Sequence, residues 1–563
     1  MAWVHGLRFD NLRGDIYGGL TAAVVALPLA LAFGVSSGAG PIAGVYGAIF
    51  VGFFAALFGG TPAQVSGPTG PMTVVMAAIF TQYTAMFPDD PARGAALAFT
   101  VVMLGGLCQI LFGVLKLGKF ISLVPHPVTS GFMSGIGVII ILLQLGPLLG
   151  HPAAAGPLAS VEALPEFLSH PHGAALTLGL LSLVIVYLLP ARLNRVLPAP
   201  LVALILGTGL MLLAFRGQVP ILGEVPSGLP RPQLPTFVTD WQVLVGMIKS
   251  ALVLALLGTI DSLLTSLVAD NITHSHHDSD RELIGQGIGN TIAGLFGGLP
   301  GAGATMRTVV NVRAGGQTPL SGALHALILL AVVLGAGRFA SFIPNAVLAG
   351  ILIKVGTDII DWDYLRRLRT APRAGVVIMF TVFFVTVFVD LITAVGVGMV
   401  MASFLFLKRM ADLQLENIQV FTEPPPEAPL SRQEAAILEQ AGGRILLYHM
   451  EGPLSFGAAK GMVRQLAAFD QYDVLVMDLT DVVAVDFTSS RAIEDMINDA
   501  RSRQRKVFLV GLRPRVREFL QAQGVLDRLP QDGLAGTRQE GLCRAAKALG
   551  LNPEVCSGGL PGE

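Results

Sequence analysis

LFGGTPAQVSGPTGPMTVV (57–75) and LFGGLPGAGATMRTVV (295–310) are two versions of one pattern. LFGGTP (57–62) matches LFGGLP (295–300) at an offset of 238 residues (295 − 57), and SGPTGPMTVV (66–75) matches GAGATMRTVV (301–310) at 235 (301 − 66). Both lie in deeply apolar surroundings. A hydrophobic chain built from two related halves, each interrupted by Gly, Pro and Thr at a corresponding place, is the mark of a secondary transporter. There, broken helices meet near the bilayer midplane and form a binding site.

Composition agrees. Only 13% of the 563 residues are charged and mean hydropathy is +0.66, whereas a soluble protein carries about 25% charged residues. Most of the chain is therefore expected to be solvated by lipid. The net charge of −1 gives no bulk attraction to nucleic acid. Three cysteines, Cys108, Cys543 and Cys556, form no disulfide or zinc pattern. A short polar start, with no cleavable signal expected, runs directly into the first apolar stretch.

Apolar segments fall near 15–36, 41–60, 67–82, 95–115, 126–149, 173–190 and 198–215, then near 241–269, 283–299, 304–314, 318–336, 344–360, 374–389 and 391–407. Seven plus seven gives fourteen spans, and an odd number per repeat inverts the second copy. One alternate set of loops carries fourteen basic residues, among them Arg8, Arg13, Lys116, Arg192, Arg195, Arg281, Arg313, Arg366 and Lys408, against four in the other: Arg93, Arg216, Arg231 and Arg338. The positive-inside rule places both termini in the cytoplasm. The boundaries expected are a cytoplasmic N-terminus (1–14), a transporter domain (15–410, repeats 15–215 and 241–410), a linker (411–440) containing the stiff EPPPEAP (423–429), a small α/β domain (441–550) and a tail (551–563). In the α/β domain RILLYHMEG (444–452), YDVLVMDLT (472–480) and KVFLVGL (506–512) read as strands alternating with amphipathic helices.

The runs DNLRGDIYGGLTAAVVALPLALAFGVSSGAG (10–40), GFFAALFGGTP (52–62), PTGPMTVVM (68–76) and LLGTIDSLLTSLVADNIT (256–273) resemble the SulP anion transporters. Within that family they are closest to the BicA-type sodium–bicarbonate symporters. The C-terminal part resembles the STAS domain that the family carries in the cytoplasm. The resemblance implies a core domain moving against a gate domain, a homodimer, and residence in the cell's inner membrane. It implies no cofactor, with sodium as the coupling ion and bicarbonate or another small inorganic anion as cargo.

A membrane-buried anion needs fixed dipoles, and a half-helix N-terminus offers free N–H groups and about half a positive charge. Thr69-Gly70-Pro71 and Gly303-Ala304-Thr305 open the third and tenth segments; facing each other, as the family's fold implies, they supply about one unit, suited to a monoanion. The competing reading is that Gly and Thr only pack helices. Asp261, inside an apolar span, costs about 2.5–3.5 kcal/mol at a helix centre and so must face a partner or cavity. Thr265 lies four residues on, along the same face. By resemblance, Asp261 and Thr265 bind sodium with Gly303 to Thr305; a proton relay or an Asp paired with Arg are the alternatives.

Arg307 opposes the dipole of its own helix. Facing the site, it would favour a divalent anion; paired or snorkelling, it leaves the monoanion reading intact. Pro28 breaks the first span and by family analogy lines the substrate cavity. GQGIGN (285–290) reads as close helix packing and THSHHDSD (273–280) as a solvated loop with a weaker metal reading. Thr488 and Ser489 in DFTSS (486–490) cap a helix or accept phosphate. There is no catalytic set and no Walker loop. The reading is a sodium-coupled bicarbonate symporter, with proton-coupled sulfate symport as the alternative. A passive channel and a STAS-linked signalling protein are rivals of other classes.

Overall fold

In hydrocarbon a chain this apolar satisfies its backbone groups only within helices or closed barrels, and helix is what forms. The computed structural model describes all residues except 1–3, 120–124, 155, 191–192, 194–196, 223–229, 237, 239, 390, 425–429, 552–555 and 557–563, and not the side chains of 336–340 and 391–392. Arg192, Arg195, most of EPPPEAP and most of the tail thus lie outside the described residues.

A helix stands on each of the fourteen expected segments. In the first half these are α1 (Leu12–Ser36), α2 (Pro41–Phe58), α3 (Gly70–Met86), α4 (Pro91–Val114) and α5 (His126–Leu149). After α6 (Pro157–Ser169) come α7 (Gly173–Leu188) and α8 (Ala199–Ala214). The second half has α9 (Trp241–Thr273), α10 (Ser279–Leu295), α11 (Thr305–Arg313), α12 (Pro319–Ala340) and α13 (Asn345–Ile359). The short α14 (Trp362–Arg366) precedes α15 (Arg373–Phe388) and α16 (Leu391–Glu416). Helices α6 and α14 were not expected from the sequence; α6 meets α7 at a bend of 115°. Among the described residues six helices are long and apolar enough to cross a bilayer, seven if α6 and α7 count as one span.

The helices sort into two groups. In one, α10 packs on α2 and α4, α9 on α4, and α12 on α1 and α2. In the other, α5 packs on α13 and α15, and α7 on α8 and α13. Contacts between the groups are thin, carried mainly by α1 and α3. Each group is locked by two glycines meeting backbone to backbone. A Cβ on Gly106 or Gly287 would lie 2.6 or 2.5 Å from the other's carbonyl, and one on Gly137 or Gly356 2.5 or 2.8 Å. Larger residues would force α4 from α10 and α5 from α13. These groups are the candidates for the expected core and gate. Pro28 does not break α1: the helix continues through it to Ser36, losing one backbone bond without ending.

The chain divides into two compact units, 1–402 and 403–563. In the second, strands β3 (Gln419–Phe421), β4 (Ile445–Leu454), β5 (Val474–Val485), β6 (Lys506–Val510) and β7 (Leu534–Ala535) form one sheet in that order, parallel except for β3. Alternation along β4 sends Leu446 and Tyr448 to one apolar layer and Ile445 and Leu447 to the other. Helices α18 (Phe456–Ala467), α19 (Phe487–Ser502) and α20 (Pro514–Ala522) fill the first layer; α17 (Arg432–Ala441) and α21 (Arg538–Ala548) fill the second. Much of the stretch expected as a linker is thus built: α16 runs on to Glu416, β3 joins the sheet, and α17 starts from a Ser431–Glu434 capping box.

Candidate functional site: a crossing of two half-helices

The duplicated motif folds into two short antiparallel strands. In β1, Ser66 and Gly67 pair with Gly303 and Ala302 of β2. Each strand leads into a half-helix: α3 from Gly70, α11 from Thr305. Their N-caps, Thr69 and Ala304, make no side-chain cap bond. The first-turn N–H groups have no intrahelical acceptor and receive no side-chain cap, so they are available to a ligand or water; in α3, Pro71 contributes none. Gly70 lies close under Ile140 and Ile359, where a Cβ would approach their methyl groups to 2.8 and 2.6 Å. The Ala304 N–H is committed to Val65 O at 2.9 Å.

Helix α9 passes behind this crossing with a polar face. Asp261 is buried and accepts a 2.7 Å bond from the Thr69 hydroxyl, joining the acid to the opening of the first half-helix. One turn on, Thr265 donates to Gly303 O at 2.9 Å and lies 2.7 Å from the Thr305 hydroxyl. Between them, Ser262 accepts from the Gly303 N–H at 3.1 Å. The structure so gathers Asp261, Thr265, Gly303 and Thr305 at one junction. Asp261 reaches across to the first repeat, while Thr265 holds the second. Thr305 is exposed and Thr265 fully buried. Pro28 is buried in α1 beside Leu29, which lines a cavity shared with Met306 of α11.

Among the described residues Arg307 pairs with no acid, and it does not reach the surface. It is buried to 1% exposure and donates from Nη2 to Pro68 O at 2.8 Å. Its Nη1 is without a partner and faces Gly67, where a Cβ would come within 2.5 Å. Gly67 takes φ +153°, outside the range side chains prefer, so glycine is required there twice over. Arg307 thus braces the backbone before α3 from α11.

Three residues of α10 escaped the sequence reading. Glu282, Gln286 and Asn290 recur every four residues and are all buried. Glu282 accepts from the Gly60 and Thr61 N–H groups at 2.9 and 3.0 Å, from Gln64 at 2.6 Å and from Gln286 at 2.7 Å. Gln286 also donates to Ser66 Oγ at 2.6 Å. Asn290 clamps Gly301 through both backbone groups, at 2.9 and 2.7 Å. One face of α10 therefore holds the approaches to both strands. Polar residues at this spacing within an apolar segment were the available signal. The glycines of GQGIGN do pack closely, as expected: Gly285 on Gly59, Gly287 on Gly106 and Gly289 on Val51.

The remaining candidates separate. In THSHHDSD, His277 pairs with Asp270 at 2.6 Å, and no group of three metal-ligating side chains occurs among the described residues. At DFTSS the helix cap is Asp486, which accepts from the Ser489 N–H at 2.8 Å, rather than Thr488 or Ser489. Thr488 is exposed; Ser489 is buried with an unpartnered hydroxyl. Elsewhere in the second unit, Asp478 bonds His449 at 2.9 Å and Arg538 at 3.3 Å, and Arg538 also grips Glu434 at 2.9 Å. Burial alone would raise the Asp478 carboxyl, but bonds from His449 and Thr480 outweigh it and hold it below the usual carboxylate range.

A profile of the sulfate permease family matches residues 12–382, and one of the STAS domain matches 436–540. The bicarbonate transporter BicA of Picosynechococcus sp. is 46% identical over 98% of this chain and 97% of its own length. BicA of Synechocystis sp. is 47% identical over 97% and 96%. The solved transmembrane domain of a cyanobacterial BicA covers 70% of this chain and all of its own, with 51% identity and a TM-score of 0.65. These relatives are named as transporters. The chain belongs to the SulP (sulfate permease) family of anion transporters and carries the STAS domain on its C-terminal side.

Proposed function

We propose that this anion transporter is a sodium-coupled bicarbonate symporter of the cell's inner membrane, working by alternating access. The observation that carries the reading is the bond between Asp261 and Thr69, set beside the Thr265–Gly303–Thr305 cluster. The anion sits between the N-termini of α3 and α11, held by first-turn N–H groups from Gly70 and Thr305 onward, with Thr69 and Ala304 forming the wall at the two caps. About one unit of helix-dipole charge suits one negative charge. Sodium takes the hard oxygens of Asp261, Thr265, Gly303 and Thr305, a donor set of carboxylate, hydroxyl and carbonyl. Its charge offsets Asp261, which otherwise repels the anion through Thr69. Binding of either ion then favours the other by the same factor.

In this reading Arg307 serves the backbone before α3 by donating to Pro68 O, and its charge stays close behind the seat. The names of the relatives support bicarbonate. The core group carries both ions past the gate group, and the protein acts as a homodimer with its termini and STAS domain in the cytoplasm. Thr488, by its exposure, is the regulatory hydroxyl; Ser489 is enclosed.

The test is uptake of labelled bicarbonate and labelled sulfate into proteoliposomes with and without an inward sodium gradient. Sodium-stimulated bicarbonate uptake is expected. Sulfate uptake driven by an acid exterior and indifferent to sodium would give Asp261 to a proton. Uptake independent of any cation gradient would make the protein a channel.

A further inference from the structure

The seat at the half-helix ends does not use the charges further along α11. A cavity of about 840 Å³ lies between the helix groups, walled on one side by α1 and α11 and on the other by α13. Met306, Val310 and Arg313 face it from α11, Lys354 and Asp358 from α13. The spacing i, i+4, i+7 puts the three α11 residues on one stripe. At 1.5 Å per residue, that stripe runs about 10 Å from the first turn, next to Thr305, to the last.

An anion that leaves the seat along this stripe travels down the dipole of α11, toward an end carrying about half a negative charge. Unaided, that end would repel it. Arg313 stands in the last turn, exposed and on the cavity wall, and reverses the sign there. On the opposite wall Lys354 is ion-paired with Asp358, and its ammonium lies 5.4 Å from the ring centre of Tyr187. The charged groups of the lining therefore sum to one positive charge: Arg313 and Lys354 less Asp358. A route needs sites that attract the ion yet release it.

We propose that Arg313 forms a second, transient binding position for the transported small inorganic anion, in the cavity at the far end of α11. Asp358 keeps this position weak by neutralising Lys354. The proposal rests on the reading of the chain as a carrier of such an anion. Arg313 acts on the route and not on the seat, so its effect belongs to one face of the membrane.

The test uses the full chain in right-side-out and everted membrane vesicles, with initial rates of labelled bicarbonate uptake at saturating sodium. Arg313→Gln is expected to raise KM about three- to tenfold in the one orientation where the anion enters through the cavity. KM in the other orientation stays at the wild-type value, which also reports an intact fold. Arg313→Lys remains within about twofold of wild type, and added salt narrows the difference by screening. Asp358→Asn, which frees Lys354, lowers the same one-sided KM.

An unchanged KM in both orientations would overturn the proposal. So would an equal rise in both, or an Arg313→Lys variant as impaired as Arg313→Gln. Sulfate uptake in place of bicarbonate by the wild type would defeat the substrate reading alone; the same one-sided comparison, run with sulfate, then decides the role of Arg313. A wild type that moves neither anion defeats both.

Discussion

The two half-helices begin alike and are held differently. Helix α3 is long and apolar, and the Thr69 hydroxyl at its cap leaves the helix to bond Asp261. Helix α11 spans nine residues and carries Arg307, Asn311 and Arg313; the strand before it is bonded by Ser262 and Thr265. Duplication therefore supplied a symmetric backbone cradle, while the side chains became unequal. The first half-helix holds the link to the acid, and the second holds the oxygens suited to a cation. In the proposed symport a single seat for two ions of opposite sign would use this inequality, because two identical halves would offer only an anion site.

The largest expected loss comes from cutting the comparison at its hinge. Asp261→Asn keeps the bond from Thr69 in shape but removes the charge, and sodium stimulation of uptake should fall by about 100-fold, at the upper end of what one hydrogen bond to a charged group contributes. Undiminished sodium dependence would remove Asp261 from the account.

Arg307→Met takes away the buried cation of α11. Pro68 O then loses its donor, and the thermal midpoint in detergent should drop by the equivalent of about 1–3 kcal/mol. Preference for a monovalent over a divalent anion should be kept in the folded fraction. A changed preference would put Arg307 in the seat.

Thr69→Val severs the first half-helix from Asp261. Because a hydrogen bond to a charged group is worth about 1.5–3 kcal/mol, the mutual enhancement between sodium and bicarbonate should weaken about tenfold or more. Retained enhancement would place the coupling elsewhere. Thr305→Val, on the second half-helix, removes one neutral hydroxyl, and the apparent sodium affinity should fall about fivefold; an unaltered value would mean that Thr305 only packs against Thr265.

Much of this was legible in the sequence, for a local reason. Apolar length marks a helix wherever it occurs, and Gly, Pro and Thr in both copies mark where helices must start. Strands Ser66–Gly67 and Ala302–Gly303 fall inside those marks. What the sequence did not reveal depends on partners remote along the chain. Glu282 meets Gly60 and Thr61 from more than two hundred residues away, and Asn290 meets Gln109 from 181 residues away. The direction of Arg307 is of the same kind, since only the close approach at Gly67 decides that it turns toward Pro68. Pro28 misled because a proline in a buried helix removes one bond without ending the helix.

The central claim is that one junction binds both ions and joins them through Asp261 and Thr69. Calorimetric titration of the purified protein tests it: bicarbonate with and without sodium, and sodium with and without bicarbonate. The account predicts that each ion tightens the other by the same factor, and that Asp261→Asn abolishes both enhancements. Bicarbonate affinity that ignores sodium in the wild-type protein would contradict it.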